Sequence, residues 1–231
     1  VDAAGLERAG AFIAGMQSHG ETDLYRSLEE LLKEAPRSGR PMIVLLITDG
    51  LPTQGLVDSA QIISRFSGEN AGARSLFTMG TIGSANVYLL DMLSYRNRGD
   101  TRVVTTGRWD IPDVLAQRAD SVARPVLGDV RFVFSAASRI ETYPVLTPNL
   151  YLDRSLILYA RYPRQESRLV FQALGRAGEV ECDMVFDVDL GRAATWTDEI
   201  PTLWAWHKAY DLIGRHTIER DPAALRDLRR L

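Results

Sequence analysis

The most constraining feature of this sequence is an unbroken apolar run at residues 42–48, MIVLLIT, in which β-branched side chains are frequent. Arg40-Pro41 precedes the run and Asp49-Gly50 follows it, so residues typical of turns bound it on both sides. A strand with one face in water would alternate apolar and polar residues, and this run does not. The run therefore predicts a strand that is buried on both faces of a parallel sheet.

Helical and strand-like segments alternate around this run. Apolar residues recur at spacings of three and four in two segments before it, which predicts helices at residues 6–16 and 23–33. The alternation continues after the run, with helices predicted at residues 58–66, 85–95 and 111–119 and strands at residues 75–79 and 102–105. This order is typical of a doubly wound, mostly parallel α/β sheet, whose functional loops lie at the carboxyl ends of the strands.

The pattern changes after Arg124-Pro125 to short strands without intervening helices. Strands predicted at residues 129–135, 155–162, 168–174 and 179–190 indicate a small antiparallel β domain. The last of these alternates strictly, so that acidic residues form one face. An acidic stripe is a candidate cation site, but an ordinary solvated face is the favoured interpretation. The opposite face carries Val180, Cys182, Met184, Phe186, Val188 and Leu190.

The chain becomes helical again from residue 197. Leu203, Trp206, Tyr210 and Ile213 are spaced for one buried stripe, which indicates a docking helix. A final helix is predicted at residues 223–231, capped by Asp221. The predicted domains are an α/β domain at residues 1–123, a β-rich domain at residues 124–192 and docking helices at residues 193–231.

Composition removes several classes of function. The 27 basic and 30 acidic residues give a formal net charge of -3, so a general nucleic-acid binder is not expected. No apolar run is long enough to span a bilayer. The single cysteine, Cys182, can form neither an internal disulfide nor a zinc site alone. The first residues, VDAAGLERAGAF, lack an initiator Met and a signal-peptide pattern, which predicts a fragment or a processed product.

Two segments carry candidate metal ligands. Asp49 follows the buried strand, where a carboxylate could bind a hard divalent cation, although Asp49-Gly50 could equally be only a turn. Thr22 and Asp23 place a hydroxyl beside a carboxylate at the start of a helix. Taken alone, this second segment is more simply interpreted as a helix N-cap.

Three segments together carry a resemblance to a known family. They are GETDLYRSLEELL, IVLLITDGLPTQG and LFTMGTIGSANVYLLDML, and in this order they resemble the von Willebrand factor type A domain. The resemblance is closest to the branch that contains bacterial proteins and inter-alpha-trypsin inhibitor heavy chains. RPVLGDVRFVFSAASRIETYP, LYLDRSLILYARYP and EIPTLWAWHKAYDLI look like the region that follows the domain in those proteins, so the resemblance covers nearly the whole chain.

The resemblance implies a site for Mg²⁺ or Mn²⁺, the metal-ion-dependent adhesion site. It maps Thr22 and Asp49 onto two of the metal ligands and makes Asp23 a weaker candidate beside them. Gly83 and Asn86 correspond to a stretch that shapes the rim of the site. The family's first metal-binding loop, Asp-x-Ser-x-Ser, occurs nowhere in the sequence, so the expected affinity is weak.

The leading hypothesis is a non-enzymatic adhesion module whose bound metal receives a carboxylate from a protein partner. The alternative is a structural or scaffolding fragment with a vestigial metal site, which would pack through Trp204, Trp206 and an open sheet edge. The family's sheet has further strands in its middle, so a preceding segment of the same protein is an expected partner at that edge. By resemblance, the expected location is periplasmic or extracellular.

An enzyme is not expected. A metal-dependent phosphoryl hydrolase using Asp49 is a third hypothesis, but a second acid and a lysine in recognisable order are missing. The sequence contains no G-x-S-x-G nucleophile motif and no G-x-G-x-x-G or Walker loop.

Overall fold

The computed structural model describes residues 2–17, 20–37, 39–81, 84–105, 107, 110–135, 140–194 and 199–231. Within these residues the chain contains a parallel sheet, an antiparallel sheet, a two-stranded ladder and seven α-helices. The mixed α/β architecture agrees with the predicted class and is consistent with a von Willebrand factor A-like fold.

The parallel sheet has three strands in the order β1-β2-β3. They are β1 (Met42–Ile47), β2 (Arg74–Thr81) and β3 (Thr101–Val104). Helix α3 (Ser59–Asn70) connects β1 to β2, and α4 (Val87–Tyr95) connects β2 to β3. Every strand and crossover helix predicted in this part is present, because each has a clear apolar period. Helix α3 also has an N-cap, since the side chain of Asp58 accepts a hydrogen bond from Gln61 N.

The remaining helices of this part are α1 (Ala3–Ala14), α2 (Leu24–Lys33) and α5 (Ile111–Val122). Helix α2 buries Leu24 and Leu28 in the core, as its apolar spacing predicts. Helix α1 forms as predicted but buries none of its residues. Its apolar side chains are 65% to 72% exposed at Leu6, Phe12 and Ile13.

Apolar cores lie on both faces of the parallel sheet. Val44 and Leu46 contact the larger core, and Ile43 and Leu45 contact the smaller core, so alternate residues of β1 face opposite sides. The smaller core contains Phe77, Val122 and Tyr151. The larger core is formed by Leu24, Leu28, Ile62, Ile63, Phe66, Leu76, Leu89, Met92 and Leu93.

The prediction that the 42–48 run forms a strand buried on both faces of a parallel sheet is confirmed only in part. The residues of β1 are only partly buried, and Ile47 is 47% exposed. The reason is topological: β1 lies at an edge of the sheet among the described residues, whereas the central strand β2 buries seven of its eight residues. The apolar run is therefore half-covered by helices and open along one edge.

A four-stranded antiparallel sheet follows, in the order β6-β4-β8-β9. A short ladder pairs two further strands, β5 and β7. The predicted strand at residues 155–162 is present only as β7, and β5 and β6 were not predicted because strands of two or three residues have no detectable period. The strands are β4 (Pro125–Phe134), β5 (Glu141–Tyr143), β6 (Leu150–Tyr151), β7 (Tyr159–Arg161), β8 (Arg168–Ala177) and β9 (Val180–Asp189).

The two faces of β9 alternate as predicted, but its apolar face is not covered. Phe186 is 42% exposed and stacks on Phe171, which in turn contacts Phe134 in a cross-strand row. On the acidic face, Asp187 pairs with Arg168. The acidic residues of β9 are exposed, as expected for the solvated surface that the sequence favoured, and no group of three or more metal-ligating side chains is found among the described residues.

Helix α6 (Glu199–Glu219) docks between the two parts, and α7 (Pro222–Leu228) follows it with Asp221 as its N-cap. The predicted stripe is partly wrong, since Leu203 and Trp206 are 39% and 47% exposed. The buried side is one position away, at Trp204, Asp211 and Leu212, because this interface includes polar contacts that apolar periodicity does not detect. No helix among the described residues is long and apolar enough to cross a membrane.

Candidate metal site

The candidate site lies at the carboxyl edge of the parallel sheet, where three loops meet. Thr48 follows β1, and its backbone N–H donates to Met79 O on β2 at 3.1 Å. The carbonyl of Asp49 then accepts a hydrogen bond from Asn86 N at 2.7 Å. The loop after β1 is therefore fixed against the start of α4, at the edge where doubly wound sheets place their ligands.

Asp49 forms a compact turn of its own. Its Oδ1 accepts a hydrogen bond from Leu51 N at 3.0 Å, and Gly50 N donates to the hydroxyl of Thr48 at 3.1 Å. Gly50 has a φ of 71°, and a Cβ there would lie 3.1 Å from Leu90 Cγ. The turn predicted from Asp49-Gly50 is thus present, and it uses one carboxylate oxygen of Asp49.

Thr22 is held against the same loop from the other side. Its backbone N–H donates to Thr53 Oγ1 at 2.8 Å. Its carbonyl accepts hydrogen bonds from Thr53 N at 3.0 Å and from Gln54 N at 3.2 Å. The structure therefore joins the Thr22 and Asp49 loops, which the resemblance assigned to one site. Thr53 was not singled out in the sequence, because a hydroxyl that binds a backbone 31 residues away leaves no local pattern.

Asp23 acts as the N-cap of α2. Its Oδ1 accepts a hydrogen bond from Arg26 N at 3.0 Å, which is the cap that the sequence favoured. Its second oxygen lies over Gly55, where a Cβ would approach Asp23 Oδ2 to 2.4 Å. A side chain at residue 55 would therefore displace this carboxylate.

Asn86 caps the neighbouring helix. Its Oδ1 accepts a hydrogen bond from Leu89 N at 3.2 Å, and its Nδ2 donates to Ser59 Oγ at 3.0 Å. These bonds connect the start of α4 to the start of α3, so Asn86 supports the rim of the site. Gly83, the other rim residue of the prediction, lies outside the described residues.

The oxygen donors available at this edge suit a hard cation but are few. They comprise the Thr22 hydroxyl and the Asp49 carboxylate, whereas Mg²⁺ takes six oxygen ligands in octahedral geometry. No cluster of three or more His, Cys, Asp or Glu side chains that could hold a metal occurs in the described part of the chain. The residues present fit part of such a site, and water or another segment would have to supply the remaining ligands.

Comparison with known proteins gives a distant relationship over about half of the chain. No family model matches the sequence. The chain is similar to inter-alpha-trypsin inhibitor heavy chain H1. The cattle (Bos taurus) protein is 27% identical over 139 residues, which is 57% of this chain and 15% of that protein. The pig (Sus scrofa) protein is 27% identical over 141 residues, 58% of this chain and 16% of its own length.

The human protein is 27% identical over 135 residues, 55% of this chain and 15% of its own length. The similar region thus spans about a sixth of each relative. These similarities support a von Willebrand factor A-like relationship. The mixed α/β fold described above is consistent with that relationship.

Proposed function

We propose that this chain is part of a non-enzymatic protein-interaction module of the von Willebrand factor A type. In this proposal Thr22 and Asp49 bind Mg²⁺ or Mn²⁺, and an acidic side chain of a protein partner occupies an open position on the metal. Asp23 lies beside them and orients the Thr22 loop through its cap on α2. The similarity to inter-alpha-trypsin inhibitor heavy chains supports this class of function.

The observation that carries the proposal is the junction between the Thr22 and Asp49 loops. Three hydrogen bonds join Thr22 to Thr53 and Gln54, so the two ligand-bearing loops are fixed relative to each other without a metal. A preformed arrangement lowers the entropy that binding must overcome. One carboxylate gives weak binding by itself, and a partner carboxylate would add both charge and a ligand.

Calorimetric titration with Mg²⁺ and Mn²⁺ tests the proposal. Asp49→Asn keeps the acceptor for Leu51 N and removes the negative charge, so it should abolish metal binding while leaving the turn intact. The matched control is Asp153→Asn, because Asp153 is an exposed residue of another loop, paired with Arg124 at 3.5 Å. Equal metal binding by the parent chain and Asp49→Asn would refute the assignment of Asp49 as a ligand. A loss of metal binding in both Asp49→Asn and Asp153→Asn would show that the overall negative charge of the chain attracts the metal.

The second candidate is a structural or scaffolding role that requires no metal. The open edge of β1 favours it, since this edge has no neighbouring strand among the described residues and Ile47 is 47% exposed. An unpaired edge is a template for another strand. In this alternative the edge pairs with a strand supplied from outside residues 1–231, and Trp204 contributes to packing through α6.

Light scattering in EDTA separates the two candidates. An isolated chain offers its open edge to other copies, so the scaffold alternative predicts self-association that persists in EDTA. Ile47→Lys adds a charge at that edge and should reduce the association. Val133→Lys is the control, because Val133 is similarly exposed, at 48%, but lies in the antiparallel sheet. A monomer at all concentrations, or equal effects of both variants, would contradict this alternative.

The proposed location is periplasmic or extracellular, in keeping with the resemblance. The proposed partner is a protein with an exposed acidic side chain. Nucleic acid is not a proposed partner, because the formal net charge of -3 provides no general attraction for it.

A further inference from the structure

A cavity of about 190 Å³ lies at the amino-terminal side of the parallel sheet, opposite the candidate metal site. Its wall is formed by the loop before β1, the turn between α3 and β2, and residues of β4 and β8. The cavity therefore lies where the α/β part meets the antiparallel sheet. None of the functions considered above uses it.

The charge of this wall is opposite to that of the whole chain. Four arginines line the cavity, at Arg37, Arg40, Arg98 and Arg176, and Asp129 is the one carboxylate among the described residues that line it. The chain as a whole has a formal net charge of -3. A local excess of positive charge on an acidic protein produces a focused field that attracts anions.

Carboxylates compensate the charge of these arginines only in part. Among the described residues, Arg37, Arg40 and Arg98 form no ion pair, although Asp129 lies near Arg98, and Arg176 pairs with Glu179 Oε2 at 3.9 Å. The Nε atoms of Arg98 and Arg176 are buried without a hydrogen-bond partner in the same part of the chain. A buried N–H donor without an acceptor is costly, so an anion that accepts hydrogen bonds from these two Nε atoms would stabilise the folded chain.

Arg98 is held in place by the backbone around it. It lies in the turn after α4 with a left-handed φ of 60°, and its Nη1 donates to Thr147 O at 3.3 Å. Gly72 makes room for it, since a Cβ at that position would lie 3.2 Å from Arg98 Nε. Burial lowers the pKa of Arg98, the charge of Asp129 opposes this shift, and the charge of Arg131 adds to it, so Arg98 is a partly desolvated cation whose nearest counter-charge is Asp129.

We propose that this cavity binds a tetrahedral oxyanion, phosphate or sulfate, either free or as the terminal group of a small organic ester. Guanidinium groups donate paired, charge-assisted hydrogen bonds to such oxygens. Arg40 and Arg37 close the cavity from the exposed loop, whereas Arg98 and Arg176 form its inner wall. The size of the cavity accommodates a small head group rather than an extended chain.

Calorimetric titration with inorganic phosphate, inorganic sulfate and glycerol phosphate tests this proposal, with sodium chloride at matched ionic strength as the reference. Saturable binding of at least one of the three is expected. Arg40→Gln and Arg176→Gln should each weaken it by about tenfold, because each removes a charge-assisted contact. Arg40 is exposed, so its replacement leaves the fold intact and keeps the test valid.

Two further variants make the result specific. Arg192→Gln removes an arginine that is 89% exposed and pairs with Asp189, away from the cavity, and should not change binding. Asp49→Asn should also leave anion binding unchanged, which separates this cavity from the candidate metal site. The rank of the three ligands identifies whether the free ion or an ester is preferred.

Four outcomes would overturn the proposal. The first three are no saturable binding of any of the three anions, a response equal to that of matched sodium chloride, and unchanged affinity in both Arg40→Gln and Arg176→Gln. An equal loss of affinity in Arg192→Gln would also overturn it, since that would show attraction to general positive charge.

Discussion

Asn97 connects three elements of the larger core, and its replacement tests how that core is fixed. It is fully buried in the turn after α4. Its Nδ2 donates to Ser67 Oγ at 2.9 Å and to Leu93 O at 2.7 Å, and its Oδ1 accepts a hydrogen bond from Asn70 Nδ2 at 2.7 Å. Asn70 also binds the backbone of Arg74 at the start of β2.

Asn97→Ala removes three buried hydrogen bonds and leaves a space the size of an amide group. At about 1 kcal/mol for each neutral hydrogen bond, the loss is about 3 kcal/mol, before any cost of the vacated space. This is a large part of the stability of an ordinary domain. Urea unfolding followed by tryptophan fluorescence measures the change in the free energy of unfolding.

Asn97→Asp is the matched variant because it preserves the shape of the side chain while it replaces the two donor hydrogens with an ionisable carboxyl group. The introduced carboxylate would face the carbonyl of Leu93, so its pKa should rise in the folded state. A raised pKa of an acid means that the folded state binds the proton more tightly, so the variant should be least stable near neutral pH and should recover as the pH falls. Asn97→Ala should show no such recovery.

Two results would refute this reasoning. A loss below about 1 kcal/mol in Asn97→Ala would mean that water or neighbouring side chains replace all three hydrogen bonds. A pH dependence of Asn97→Asp equal to that of the parent chain would mean that the introduced carboxylate reaches solvent.

Three further predictions concern the candidate site and the docking helix. Thr53→Val removes the acceptor of the Thr22 N–H, so that amide should exchange with solvent about fivefold faster, whereas Thr53→Ser should keep its protection. Burial lowers the pKa of His207 below its ordinary value of 6.5, so the stabilising contribution of the neutral imidazole is complete above that pH and is lost as the pH falls. The urea midpoints measured at about pH 7.5 and about pH 5.5 should therefore converge in His207→Gln. An unchanged difference between the two midpoints would show that His207 does not cause the pH dependence. Trp204→Phe removes the indole hydrogen bond to Glu141 O at 3.2 Å and should lower the free energy of unfolding by about 1 kcal/mol in urea titration, which an unchanged value would disprove.

The α/β part shows where sequence patterns are reliable. A helix was predicted at residues 58–66, and helix α3 is present there with Asp58 as its N-cap. The prediction of α7 with Asp221 as its cap was confirmed in the same way. A cap and its helix are separated by only a few residues, so the sequence contains both partners of the interaction side by side.

Predictions about burial were less successful. The predicted packing stripe of α6 was Leu203, Trp206, Tyr210 and Ile213. Tyr210 and Ile213 pack against the larger core, but Leu203 and Trp206 are exposed, and Trp204 and Asp211 are buried instead. Asp211 is buried because Arg96, from the turn after α4, pairs with it at 3.3 Å. Such a partner is more than one hundred residues away along the chain, so no period in α6 reveals it.

The candidate metal site depends both on local sequence patterns and on contacts between residues far apart in the chain. Position alone made Asp49 a candidate ligand and favoured an N-cap for Thr22 and Asp23, and the family resemblance assigned all three to one metal site. Their junction depends on Thr53, which binds Thr22 across 31 residues of sequence. Their role as metal ligands stays a prediction that the titration of Asp49→Asn will decide.

The sequence by itself determined the order and type of most elements, because helix period, strand alternation and capping are interactions between near neighbours. Only the tertiary structure decided which faces are covered, as the partly exposed β1 and the uncovered apolar face of β9 show. It also decided which loops meet at the candidate site and which arginines share a cavity. Those outcomes depend on contacts between residues far apart in the chain, and the energies of such contacts cannot be predicted from a local sequence pattern.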